Sequence, residues 1–100
     1  EALVEAAKVP MNVMRQCSRT AGLVERLSRM ANPNLITDVA VAAELCRAAC
    51  RAARWNVEVN LKYMNEGEVR DRLRSEMNEV EQKTDETCQK ALEQVRERFE

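Results

Sequence analysis

Histidine is absent from this sequence, and glycine (two), proline (two) and aromatic side chains (3%) are scarce. Without His the usual proton carrier at neutral pH is missing, so acid–base work would fall to carboxylates. No Ser or Thr has an evident base beside it, which argues against a hydrolytic triad. Cys17, Cys46, Cys50 and Cys88 include no CxxC pair. Cys46 and Cys50 share a helix face, but a zinc site wants four converging ligands. The expectation is free thiols packed like alanines in a reducing cytosol, with no metal and no cofactor. No apolar run reaches the roughly 18 residues of a membrane span, so no membrane association is expected. No signal peptide is evident either, and a cytoplasmic location follows as an expectation. The chain opens Glu-Ala-Leu rather than with Met, which suggests a start inside a longer gene product.

What is abundant points to helices. In 100 residues, 45% are hydrophobic and 33% charged, the balance of long helices rather than sheets, and enough chain for one small domain. The net charge of −1 gives no support for nucleic acid as a partner. Charge is unevenly spread, however. Residues 1–65 hold nine Lys/Arg against six Asp/Glu (+3), and residues 66–100 hold seven against eleven (−4). An acidic final segment would therefore face a mildly basic body.

Three helices emerge from the spacing. In the first, from about Leu3 to Met30, apolar residues recur as Leu3, Ala7, Met11, Met14, Ala21, Val24 and Leu27. Pro10 marks either a kink or a new start. Asn32-Pro33-Asn34 is a turn signal, with Asn32 or Thr37 as candidate N-cap of the second helix, which persists to about Met64. Asn65-Glu66-Gly67 breaks the chain again. The third helix, Glu68 to about Phe99, carries a narrow stripe of Val69, Leu73, Met77, Val80, Thr84, Cys88, Ala91, Val95 and Phe99. The fold class is all-α, an antiparallel bundle of three long helices. Its middle helix is too apolar for two neighbours to cover, so completion by oligomerisation, as a homodimer, or by missing chain is expected.

Asn32 to Leu61 is the most informative stretch. Its polar groups gather near the ends, with Asn34 and Asp38 one turn apart at one end and Asn56 and Asn60 at the other. Asp38 is the best candidate acid or base, because apolar surroundings would raise its pKa. The plainer reading places it in a helix's first turn, where the dipole favours a carboxylate. Asn56 and Asn60 suit the amide-like edge of a ligand or an adjacent helix. Trp55 and Tyr63 either flank a pocket or act as core or interface anchors. Arg47, Arg51 and Arg54 form one basic stripe that either binds a polyanionic tail or pairs with acids of the third helix. On the residues alone, the structural reading is favoured for each of these.

Lys8-Val9-Pro10-Met11, Asn32-Pro33-Asn34 leading to Thr37-Asp38-Val39-Ala40-Val41-Ala42-Ala43, and Asn56-Val57-Glu58-Val59-Asn60-Leu61 together carry a resemblance. In order and spacing this run, Lys8 to Leu61, resembles the later half of the formiminotetrahydrofolate cyclodeaminases and the related methenyltetrahydrofolate cyclohydrolases. That family has a Val-Pro-Leu-like segment, a Gly-Asn-Pro turn leading to Ser-Asp-Val-Gly-Val-Ala-Ala, and a closing Asn-Val-x-Ile-Asn-Leu. Met11, Thr37, Ala40 and Val59 are mild departures. The family's earlier half has a Gly-rich, Ser-containing segment with an acidic residue credited with catalysis. Nothing corresponding occurs here, where only Gly22 and Gly67 are found.

The resemblance implies an all-helical fold and an enzyme of one-carbon tetrahydrofolate interconversion, active where the earlier half is supplied. The reaction would be cyclodeamination of 5-formiminotetrahydrofolate or hydrolysis of the methenyl ring. It implies a tetrahydrofolate derivative as substrate and no cofactor. Asp38 would be the catalytic residue, with Asn34, Thr37, Asn56 and Asn60 lining the substrate pocket. Residues 1–100 would be a single helical domain or the C-terminal part of a larger cyclodeaminase-like domain. The alternative is a non-catalytic helical assembly module.

Overall fold

A computed structural model describes residues 2–100 and contains three long helices: α1 (Ala2–Met30), α2 (Ile36–Tyr63) and α3 (Glu68–Phe99). They pack side by side into a rod of 50 × 16 × 15 Å. The third helix has the bounds its periodicity predicts. The first runs unbroken through Pro10, so no new helix starts there. Proline cannot donate to the carbonyl four residues back. That carbonyl belongs to Ala6, which is exposed, so water can satisfy it.

The turn between α1 and α2 differs from expectation in one detail. Asn32 caps a single 3-10 turn, Pro33–Leu35, rather than the α-helix. Its Oδ1 accepts from the backbone N–H of Asn34 at 2.9 Å. The residue that opens α2 is Leu35, with no side-chain cap, and Thr37 lies inside the helix. At the other end Gly67, at φ +148°, opens α3 in a conformation that L side chains rarely adopt.

The core runs the length of the rod in two clusters. Near the Asn32 turn, Ala21 and Val24 meet Ile36, Val39, Ala43 and Cys46 of α2 and Cys88, Ala91 and Val95 of α3. Toward Gly67, Met11 and Met14 meet Cys50, Val57, Leu61 and Met77. Methionine's flexible thioether fills the irregular space left where no aromatic ring enters the core. From the predicted stripes, Leu27, Val69 and Phe99 lie exposed at the helix ends.

Helix α2 contributes one seam to this core: Ile36, Val39, Ala43, Cys46, Cys50, Ala53, Val57 and Leu61, none more than 8% exposed. It carries a second seam, Asp38, Val41, Leu45, Ala48, Ala52, Trp55, Val59 and Tyr63, each member two residues beyond its counterpart. Two residues turn a helix about 200°, so this seam faces almost directly away from the first. All of its members are exposed, and its large apolar residues are at least 50% exposed. Two neighbours therefore leave half of α2 bare.

Candidate functional site

The flank of α2 facing α3 is settled by ion pairs. Arg54 meets Glu81 at 2.8 Å and Glu58 at 3.4 Å. Arg51 meets Asp85 at 3.2 Å. Arg47 approaches Asp85 at 3.8 Å and donates to the Asp85 carbonyl and to Gln89 Oε1. The basic stripe is thus taken up by α3, which supports the ion-pair reading over a polyanion site. Arg15 of α1 likewise pairs with Glu76 of α3. The acidic final helix does face a basic body.

At the Asn32 end, Arg98 of α3 donates to the backbone carbonyls of Ser28 and Ala31, groups that the C-terminus of α1 leaves without helical partners. Ser28 is fully buried and bonds to Gln94. These contacts tie the last turns of α3 to the turn that precedes Asn34 and Asp38.

The candidate polar residues all fall on the bare side of the molecule or at its ends. Asn34, Thr37, Asp38 and Asn56 are exposed, and Asn60 is half-buried. The apolar burial expected around Asp38 is absent: it projects from the first turn of α2, where the helix dipole favours a carboxylate. Asn60 Nδ2 donates to the Asn56 carbonyl at 2.8 Å, within its own helix rather than to a neighbour. Asp38 and Asn56 are eighteen residues apart, five full turns, so they share a face but stand about 27 Å apart along the axis. Within one copy the two polar groups are not brought together. Trp55 is 73% exposed, which removes it from the core and leaves the pocket and interface readings.

One groove, of about 800 Å³, lies between the first half of α2 and the end of α3. Thr37 lines it with Glu44, Arg47, Arg96 and Phe99. Sequence reasoning did not single out Glu44 or Arg96. Their only signal was position, one on each of two helices expected to pack antiparallel. Among the described residues no group of His, Cys, Asp or Glu is placed to hold a metal ion. The thiols are free, and burial raises the pKa of Cys17, Cys46 and Cys50. Cys88 is pushed up to about 11, chiefly by burial. Such thiols stay protonated and unreactive. No helix among the described residues is long and apolar enough to cross a membrane.

Comparison with known proteins identifies the family. The family model described as formiminotransferase-cyclodeaminase matches residues 1–79, which takes in α1, α2 and the first turns of α3. The chain belongs to the formiminotransferase-cyclodeaminase family. It is similar to the methenyltetrahydrofolate cyclohydrolase of Methylorubrum extorquens, 36% identical over 66 residues. The match covers 66% of this chain but 32% of that protein, so the chain spans about a third of the length of the curated relative it matches. No solved structure matches it. The family match reaches beyond Leu61, where the quoted motifs end, and includes part of the acidic helix, for which only general character had pointed to the family. The motif residues divide between the two faces of α2: Asn34, Asp38, Val41, Asn56 and Val59 are exposed, whereas Val39, Ala43, Val57 and Leu61 belong to the buried seam.

Proposed function

We propose that this chain supplies the later helical half of a unit that interconverts one-carbon tetrahydrofolates, by cyclodeamination of a 5-formimino group or hydrolysis of a methenyl ring. The observation that carries the reading is the family match over residues 1–79, together with the exposed polar residues Asn34, Asp38 and Asn56, which core packing does not require. Buried residues are constrained by packing, whereas Asn34 and Asn56 are exposed and Asp38 meets only the helix dipole.

Both reactions pass through a carbon flanked by two nitrogens that share a positive charge. In ring closure, N10 adds to the formimino carbon and ammonia leaves. In ring opening, water adds to the methenyl carbon and one carbon–nitrogen bond breaks, leaving a formyl group. A carboxylate beside that carbon stabilises the cation, and Asp38 is the group on this face with that charge. The amides of Asn56 and Asn60 offer both donors and acceptors, matching the edge of a pterin ring. Asn34 and Thr37 extend the polar end around Asp38.

A second reading, a helical assembly module without catalysis, is favoured by one observation: Asp38 and Asn56 are about 27 Å apart within a copy. The two are separated by assaying purified protein, in its full-length context, for binding and conversion of both folates, with Asp38→Asn alongside. The enzymatic reading expects conversion of one substrate and at least a tenfold loss in Asp38→Asn at unchanged helix content. Absence of both binding and conversion refutes it.

A further inference from the structure

The acidic third helix carries Arg70, Arg72 and Arg74 within its first two turns. Cations there oppose the positive end of the helix dipole, so helix stability does not account for them. Across the Gly67 turn, Lys62 closes the last turn of α2. Lys62, Arg70 and Arg74 line one groove, of about 280 Å³, together with Glu58, Leu61 and Met77. Unlike Arg47, Arg51 and Arg54, these cations have no acid of a facing helix to meet. Among the described residues Lys62 and Arg74 form no ion pair. Arg70 approaches Glu66 at 3.8 Å, a carboxylate 93% exposed, and its Nε is shut off from water with no acceptor. Glu58, the acid in the groove, is engaged by Arg54 at 3.4 Å.

We propose that this groove binds a compact phosphate-bearing anion, either phosphate itself or the phosphate or pyrophosphate group of a small molecule. Two guanidinium groups and an ammonium, contributed by two helices, supply more charge and more donors than a single carboxylate can use. They suit the double charge and spread oxygens of a phosphate group. Leu61 and Met77, almost fully buried, give the groove an apolar wall, and Arg70 is only 19% exposed, so solvent screens this charge less than that of a free surface arginine. The volume equals that of about nine waters, room for one or two phosphate groups and not for a length of nucleic-acid strand. Arg72 lies two residues from both Arg70 and Arg74, which puts it on the opposite side of α3, outside the groove. The groove is also remote from Asp38, with Lys62 about 36 Å further along α2, and does not depend on the folate reading.

Isothermal titration calorimetry at fixed ionic strength tests the site, with pyrophosphate as the probe. The wild-type chain is expected to bind one pyrophosphate per copy with a Kd below about 1 mM. Arg70→Gln, and separately Lys62→Gln/Arg74→Gln, should each weaken binding by about tenfold or more, because each removes charge-assisted hydrogen bonds. Arg72→Gln makes the same change of charge on the far side of α3 and should leave binding within about twofold. Inorganic phosphate and glycerol 3-phosphate, titrated in parallel, distinguish the free ion from a phosphate carried on a small molecule, and binding of either supports the site. Tricarballylate, with three carboxylates on one short skeleton, is expected to bind about tenfold more weakly than pyrophosphate.

A helical wild-type chain that binds none of the phosphates overturns the proposal. So does an equal loss in Arg72→Gln, which would assign the binding to the general charge of α3. Tricarballylate bound as tightly as pyrophosphate overturns the phosphate assignment. A single-stranded oligonucleotide bound more tightly than pyrophosphate, with a steep dependence on salt, overturns the compact ligand. Should Arg70→Gln lose helix content, the Lys62→Gln/Arg74→Gln variant decides, since both of its side chains are exposed.

Discussion

The two seams of α2 have the same stepping and similar residue sizes but opposite environments. The inner one holds Ile36, Val39, Cys50, Val57 and Leu61 against α1 and α3; the outer one holds Val41, Leu45, Trp55, Val59 and Tyr63 in the open. Periodicity alone therefore marks both as contact surfaces without saying which partner each meets. The inner partners are helices of the same chain. The difference teaches that an apolar residue's contribution to folding depends on its neighbours, not on its hydrophobicity.

The largest expected effect comes from truncating the inner seam. Leu61 is 1% exposed, and Leu61→Ala should cost about 2–5 kcal/mol in urea unfolding, from lost burial plus the cavity left behind. A cost near that of an outer-seam truncation would erase the comparison. Next is alkaline pH. The buried Cys88 thiol titrates near 11 in the fold against 9.0 when unperturbed, so the unfolded chain releases its proton first. Stability should hold below about pH 9 and fall as pH rises toward 11, and Cys88→Ala should flatten that decline. A fall confined to lower pH would assign the effect to another group.

The flank between the seams should show a smaller effect. Arg54→Ala removes contacts to Glu81 and Glu58 that are partly screened by solvent, and about 1 kcal/mol is expected, shrinking in high salt. Smallest of all, Leu45→Ala should change the unfolding free energy of the single copy by no more than about 0.5 kcal/mol, measured at high dilution. A large loss there would mean that the outer seam supports the fold of one chain.

Most of the fold was legible because its signals are local. The stripe from Met77 to Val95, the Asn32-Pro33-Asn34 turn and the break at Gly67 each state their structure within a few residues. Pro10 left two readings open, and the unbroken α1 removes the new start, since a helix interior accepts proline where the freed carbonyl can meet water. Asp38 misled. Its apolar sequence neighbours, Val39, Val41 and Ala42, are dispersed round the helix, and apolar neighbours in sequence do not ensure burial. The motif residues identified the family from their order. Their distribution over two distant ends of one helix became visible only with the helix built.

The arginines between the seams acquire a further significance from the two-residue offset. A helix with two equally spaced apolar ridges could be threaded into its own bundle back to front, with the wrong ridge inward. Turning α2 that way would strip Arg47, Arg51 and Arg54 of Asp85 and Glu81 and force Asp38 into the core. The ion pairs contribute modestly to the stability of the correct arrangement. Their larger consequence is to make the inverted one untenable, so that the helix settles with one particular ridge left outward.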